Sequence, residues 1–511
     1  MDQRRAFDII DGHLKQTING EQPTQLLMQI LGEGGTGKSK VISMLTARFK
    51  ECEVGHWLRK GAYTGIAASL IGGSTLHNLA KLSKPRRGKN GANRQKKLKK
   101  IWQHIRYLII DEVSMVSRDF LASISSAIAQ ARPDNVTASD SAFGGLNVII
   151  CGDYHQFPPV MRKGGALYFE SNTSKDKADD QVGRKIYEQF TTVVILKEQV
   201  RSSGDPEWTQ FLRRLREGKC TEDDREMLRT LEVSNNPELM DDAAWADAPL
   251  VTPRNAVRHK WNSACIRRHC ARTSRQLYRV PAKDRISGRP LTLAERYTMC
   301  KTRTGTDRLP ESIELAVGMK VMVTFNVHTE LDIANGSRGE IVDVVLHPDE
   351  PPIDSTAFEV ELEHPPAYVL VKLDNTRAAQ LPGLDAGVIP ITTMTSTFQL
   401  KMDRCTHTVE RTQLPITPAY AFTDYRAQGQ TIEPVIVDLA TPPGPGNFDA
   451  FNVYVACSRA RGRSGIRLLR AVDYKLITSH PCEALRVEDI RLSALDEDTK
   501  RRYSTSIINE H

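Results

Sequence analysis

Eight residues constrain this chain more than any others. Gly32–Ser39 reads GEGGTGKS, a complete G-x-x-x-x-G-K-S set. It lies between the apolar run LLMQIL (Leu26–Leu31) and a segment in which Val41, Ile42, Leu45 and Phe49 recur at helical spacing. A strand that stops at glycines and resumes as a helix turns backbone N–H groups inward, where they can surround an anion. The helix N-terminus adds a favourable partial charge. In such a loop Gly32, Gly34, Gly35, Thr36 and Gly37 cradle phosphate oxygens. Lys38 reaches the β- and γ-phosphates, and Ser39 offers its hydroxyl to Mg²⁺. The set alone arises by chance in roughly 2% of chains this long, so its placement between strand and helix decides the reading.

Further apolar runs at Tyr107–Ile110, Asn147–Cys151 and Val193–Leu196 alternate with helix-like or polar segments. Strands alternating with helices predict an α/β fold whose parallel sheet is covered on both faces. The run YLII ends in Asp111-Glu112. Alone, such a pair equally suits a helix start. Beside a phosphate loop, the Asp can hold Mg²⁺ and the Glu can orient or deprotonate water, which favours hydrolysis over nucleotide storage. From about Glu311 to Tyr420 the texture changes to Val/Thr-rich stretches such as KVMVTFNV and GEIVDVVL broken by Gly, Pro and Asp. That pattern predicts short antiparallel strands forming a small, SH3-like barrel inserted in the α/β chain. The α/β texture returns at Pro434–Asp438 and Ile466–Leu469.

At 511 residues and 26% charged, the chain has room for two to four domains. No run of about eighteen apolar residues is present, so no membrane span is expected. The start, MDQRRAFDII, lacks the apolar core of a secretory signal, and intracellular residence is expected. Nine cysteines are scattered without a C-x-x-C pair, which argues for reduced thiols. His259, Cys265, His269 and Cys270 match no common zinc spacing and read more simply as part of a basic helix. The net charge of +8 points to an anionic partner. Nine Lys/Arg and no acid fall in Lys84–Lys100, which suits phosphate contacts, a solvated loop or a localisation signal alike.

The remaining motifs distinguish between kinds of phosphate-loop protein. TGIAA (Thr64–Ala68) and GSTLH (Gly73–His77) precede DEVSM (Asp111–Met115), FGG (Phe143–Gly145) and GDYHQFPPV (Gly152–Val160). LKEQVR ends at Arg201, YRAQGQT spans Tyr425–Thr431, and YVACSRA spans Tyr454–Ala460. In this order they resemble the superfamily-one helicases, most closely the Pif-type branch, from Gln3 to about Leu469. The FGG set favours that branch over the related RecD-like helicases.

The resemblance implies two RecA-like domains with ATP between them, and single-stranded and forked duplex DNA as partners. It implies Mg²⁺- and ATP-dependent unwinding with 5′-to-3′ polarity, in repair, recombination or telomere upkeep. The organisation it suggests is a first ATPase domain at 1–190 with a basic insertion near 78–105. A second RecA-like domain would take 191–310 and 419–490, with the β-rich insertion at 311–418 and a tail at 491–511.

By position, Gln3 resembles the adenine-reading glutamine and Gln156 the γ-phosphate sensor. Arg201 and Arg459 resemble arginine fingers. Gln428 and Gly429 belong to the same cleft, with Lys38 and Glu112 as further catalytic groups and Ser39 and Asp111 as metal ligands. Thr64, His77, Asn255 and Arg426 fall where the family touches the DNA strand. Gln3 also suits a surface position near the chain start, and His77 a satisfied loop histidine. One motif departs from the family: Tyr425, Arg426 and Ala427 stand where His-Lys-Ser is usual. A monomer in the nucleus is expected, with the mitochondrion as the other location. Two other readings are the helicase part of a rolling-circle transposon protein and a nucleic-acid-binding module with a weakened motor.

Overall fold

The computed structural model describes residues 1–510 apart from 82–90, 133–140, 161–164, 173–175, 241–244, 303–308, 328–330, 332, 403–404 and 442–447. The chain divides into two compact units, Met1–Pro253 with Thr423–His511, and Arg254–Phe422.

The first unit is built on a six-stranded sheet. Its strands are β1 (Leu27–Gly32), β2 (Leu58–Ala62), β3 (Ser74–Thr75), β4 (Tyr107–Asp111), β5 (Asn147–Gly152) and β6 (Thr192–Leu196), in the order β3-β2-β4-β5-β1-β6. Every neighbouring pair is parallel. The near-continuous apolar runs divide by the two-residue period of a strand. Met28, Ile30, Tyr107, Ile109, Ile149 and Cys151 join one core. Leu27, Leu31, Leu108, Ile110, Val148 and Ile150 join another. Helices α1 (Asp2–Ile18) and α2 (Lys38–Glu51) supply Ala6, Ile10, Val41, Leu45 and Phe49 to the first of these cores. The same unit holds a second parallel sheet in which Val435–Asp438 lies between Leu250–Val251 and Ile466–Arg470. Two parallel α/β sheets are the arrangement expected of paired RecA-like domains.

Residues 491–511 were expected as a tail. Of these, 491–510 form most of a helix instead, Glu483–Glu510, that packs on the edge strand β6. The reason is polar rather than apolar. Leu485 and Leu492 are buried, but so are Glu488, Asp496 and Thr499, so the helix lacks a clear hydrophobic stripe. Thr499 Oγ1 accepts from the Val193 N–H (3.0 Å), and Asp496 Oδ1 accepts from the Ile195 N–H (3.1 Å). Edge-strand amides that would otherwise be open for pairing are thereby satisfied. Asp496 also receives a bond from Arg5 Nη2 on α1 (2.6 Å).

The second unit carries a five-stranded antiparallel sheet of Val388–Ile391, Tyr368–Leu373, Arg338–Val345, Lys320–Val323 and Ile416–Pro418, in that order. A long antiparallel pair, Met394–Met402 with Cys405–Gln413, extends a further sheet. The unit begins at Arg254, ahead of the change in texture at Glu311. Its first helix, Asn255–Thr273, buries Ile266 and Cys270 in the β-rich core. His269 Nε2 bonds the Val317 carbonyl (3.0 Å).

Removing the Asp496 carboxylate leaves Arg5, among the described residues, with a longer contact to Asp2 (3.3 Å) and the Asp496 carbonyl, and strips one β6 amide. Breaking a buried pair typically costs about 3–5 kcal/mol. Asp496→Ala is expected to lose about 3 kcal/mol in urea denaturation, the lower end because Asp2 remains. A loss below ~1 kcal/mol, the range of exposed pairs, would mean that the helix does not dock as described.

Candidate functional site

The glycine loop joins the end of β1 to the start of α2. Gly35 takes φ +96°, and a Cβ there would run into the Gln199 side chain and Arg201 Cβ. Only glycine fits that loop so tightly against residues 199–201. Val200 N–H donates to the Gly35 carbonyl (3.0 Å), and Gln199 Nε2 donates to the Gly34 carbonyl (3.0 Å). Lys38 Nζ spans the loop from inside, donating to the carbonyls of Gly32 (2.5 Å) and Glu33 (2.8 Å). Burial pushes the Lys38 ammonium pKa down, against the opposing pull of Asp153, Glu112 and Asp111. Thr36 is buried, with its hydroxyl on the Glu33 carbonyl (2.9 Å). Gln3 Nε2 donates to the Thr36 carbonyl (3.1 Å), which fixes the start of α1 beside the loop.

Asp111 and Glu112 close β4. Burial and then the neighbouring Glu112 push the Asp111 carboxyl up to about 7. Glu112 adopts a left-handed conformation (φ 53°), a strained choice for a side chain with a Cβ and a frequent mark of functional positions. Gln428 Nε2 donates to Glu112 Oε2 (2.9 Å), and Gly429 follows at φ +77°. A Cβ on Gly429 would lie 2.9 Å from Glu112 Oε1, so glycine here allows the carboxylate its place.

Two arginines enter from distant parts of the sequence. Arg201 Nη1 donates to the Ser458 carbonyl (3.1 Å). Arg459 is 1% exposed, and its guanidinium bonds the carbonyls of Val455 (2.7 Å), Gln430 (2.9 Å) and Ala427 (3.2 Å) and the Ser458 hydroxyl (2.7 Å). Burial lowers both; Arg459, which also faces Arg201, falls to about 10. Neither forms an ion pair with a carboxylate among the described residues. Gln156 is buried, and its Oε1 has no hydrogen-bond partner among the described residues.

Gln3, Gly34, Gly35, Gly37, Lys38, Ser39, Asp111, Glu112, Gln156, Arg201, Gly429 and Arg459 line one cavity of about 930 Å³. Gly32, Thr36 and Gln428 are not part of that lining but bond residues that are: the Gly32 carbonyl accepts from Lys38, the Thr36 carbonyl accepts from Gln3, and Gln428 donates to Glu112. Thr64, His77 and Arg426 lie in the same unit but outside that lining, and Asn255 starts a helix of the second unit. Thr64 caps the helix Gly65–Leu70, accepting from the Ala67 N–H (3.2 Å). His77 is exposed, with its ring 4.6 Å from Phe120 and 5.5 Å from Tyr63. Tyr425, where the motif departs from its relatives, stacks on Phe157 at 4.2 Å.

Sequence reasoning missed Gln199 and Asp153. Gln199 sits two residues before Arg201 in the same motif, which is a usable signal. Burial opposes ionisation of Asp153, but Arg216, His155 and Lys38 hold its carboxyl down at about 2. Its partner Arg216 lies outside every motif and left no trace in the sequence.

A glycine loop with its lysine, an acidic strand end and two arginines around one cavity define a phosphate-loop nucleotide-binding fold of the RecA-like class. Residues 1–226 match the family described as PIF1-like helicase. The chain is 25% identical over 467 residues to the ATP-dependent DNA helicase PIF1 of Xenopus laevis, covering 88% of this chain and 60% of that protein. It thus spans about 60% of the length of that curated relative. Pif1 helicase from Candida albicans shares the fold at a TM-score of 0.62 and 23% identity, covering 96% of this chain and 98% of that one. So does Pif1 helicase from Bacteroides in complex with ADP-AlF3 and ssDNA, at a TM-score of 0.62 and 21% identity, covering 94% and 97%. The chain is thus similar to Pif-type helicases in its first 226 residues by family and in its fold over most of its length, the likeness that its motifs implied.

Gly35→Ala tests whether the loop is the nucleotide cradle. Left-handed strain of ~1–2 kcal/mol and the missing space should together weaken binding of a fluorescent ATP analogue at least ~10-fold. Unchanged affinity in the variant would mean that nucleotide binds elsewhere.

Proposed function

We propose that this chain is an ATP-dependent DNA helicase that moves 5′-to-3′ along single-stranded DNA. The observation that carries the proposal is the delivery of Arg201 and Arg459 into the cavity that holds Lys38. In phosphoryl transfer the protein contributes mainly positioning and charge stabilisation. Lys38 and the loop amides hold the β- and γ-phosphates of ATP in the ground state. Glu112, held by Gln428, orients or deprotonates the attacking water, and Gln156 reports the γ-phosphate. Arg201 and Arg459 stabilise charge as the phosphoryl group transfers. Ser39 and Asp111 offer a hydroxyl and a carboxylate oxygen, a donor set suited to Mg²⁺. When bound, the ion neutralises charge on the β- and γ-oxygens.

The two arginines make hydrolysis conditional on closure of the cleft, and closure repeated with turnover can ratchet a strand. Residues 1–190 would form the first ATPase domain. Residues 191–253 and 423–490 would form the second, with the β-rich unit as its insertion. Thr64, His77, Asn255 and Arg426 are the proposed strand contacts, and the rings of Tyr63, His77 and Phe120 offer stacking surface. The basic run from Lys84 lies partly outside the described residues. Its described part exposes Lys96, Lys97, Lys99 and Lys100 on a helix anchored by Leu98 and Trp102, which suits phosphate contacts.

The test is ATP hydrolysis with and without single-stranded DNA, and strand separation on forks carrying a 5′ or a 3′ loading tail. DNA-stimulated turnover and unwinding of the 5′-tailed substrate are expected, both lost in Lys38→Ala while DNA binding stays within a few fold. DNA binding without turnover in the unaltered chain would leave only a binding module.

A further inference from the structure

Gln156 lines the cavity, yet among the described residues its Oε1 makes no hydrogen bond, so the position of that carboxamide depends on the turn that carries it. The turn is tied at two points. Asp153 receives the Arg216 guanidinium and the Tyr454 hydroxyl (3.1 Å), and its own oxygens accept from the N–H groups of His155 (3.1 Å, side chain) and Gln156 (3.0 Å, backbone carbonyl). The second tie is His155 itself. Its ring is 2% exposed, and Nε2 lies 2.8 Å from Asp489 Oδ2 on the C-terminal helix, 334 residues away. Among the described residues Nδ1 has no partner, so the ring keeps its proton on Nε2 and donates it to Asp489.

The helix that bears Asp489 is itself fixed. Two turns further on, Asp496 and Thr499 hold the amides of β6, and Asp496 holds Arg5, two residues from Gln3. Asp489 is half-exposed and borders the ring of His480 in the turn that precedes the helix. Its carboxylate therefore has no packing role comparable to that of Asp496. What it contacts is the neighbour of Gln156.

We propose that Asp489 is a positioning residue for hydrolysis: by accepting the His155 Nε2–H it fixes the turn that presents Gln156 to the nucleotide. The inference rests on the reading of the cavity as an ATPase site. It gives the C-terminal helix a part in turnover as well as in stability. A misplacement of 1 Å can cost about 10²-fold in rate, so loosening one of two ties should cost at least ~10-fold.

DNA-stimulated ATPase kinetics on the full chain decide the matter, with Asp489→Ala, Asp489→Asn and Asp498→Ala compared. Asp498 is an exposed carboxylate of the same helix that pairs, among the described residues, with Arg501 and Arg502 of its own helix. Asp489→Ala is expected to lower kcat at least ~10-fold with KM for ATP within about twofold. Asp489→Asn keeps an acceptor oxygen and is expected to recover most of kcat, and Asp498→Ala to leave it unchanged. Normal kcat in Asp489→Ala overturns the proposal. So does an equal loss in Asp489→Ala and Asp489→Asn, since the negative charge and not the hydrogen bond would then matter. An unaltered chain without DNA-stimulated turnover would instead refute the ATPase reading on which the proposal stands, and is told apart by that control.

Discussion

Three cations, Lys38, Arg201 and Arg459, converge on one cavity, and none is bonded to a carboxylate among the described residues. Positive charge held away from water without an anionic partner is costly. Here backbone carbonyls carry the solvation: those of Gly32 and Glu33 for Lys38, Ser458 for Arg201, and Val455, Ala427 and Gln430 for Arg459. Such a site has its greatest attraction for a polyanion that can meet all three cations at once. The nearby acids do not cancel that attraction. Burial raises Asp111, Glu112 is engaged by Gln428, and Asp153 is committed to Arg216.

The remainder of the first unit serves to hold those charges in place. The parallel sheet sets the glycine loop and Asp111 at the ends of β1 and β4, two strands apart. The helix Ala450–Cys457, buried throughout, carries the chain to Ser458 and Arg459. The C-terminal helix satisfies the edge of the same sheet and holds α1 through Asp496 and Arg5. Order at the cavity is thus imported from contacts hundreds of residues apart in sequence. Loops on a rigid scaffold are the usual place for chemistry for this reason.

What could be read from the sequence was what is local. The glycine set, the apolar strands and the acidic end of β4 are each written in a few consecutive residues, and they fix the parallel α/β class. Arg201, Gln428 and Arg459 carry no local mark of a shared site, and only the likeness of their motifs to a family joined them to Lys38. The C-terminal helix was missed because its buried face is made by Glu488, Asp496 and Thr499 with few leucines, so its periodicity is hidden. The partnership of His155 with Asp489 spans 334 residues and could not be inferred from either end. The second unit begins with a helix that buries few residues, which concealed its membership of the β-rich core.

The central claim is that Arg459, 421 residues from Lys38 in the chain, completes the same γ-phosphate site. The most direct measurement is the single-turnover hydrolysis rate of Arg459→Ala and Arg459→Lys beside the equilibrium affinity of each for ATP. The account predicts affinity within a few fold, since Lys38, Ser39 and the loop amides hold the ground state. It predicts a rate lower by at least ~10² in the Ala variant, in line with the worth of an arginine finger, and poor rescue by Lys, which lacks the planar fork. A near-normal rate in Arg459→Ala with ATP bound would contradict it.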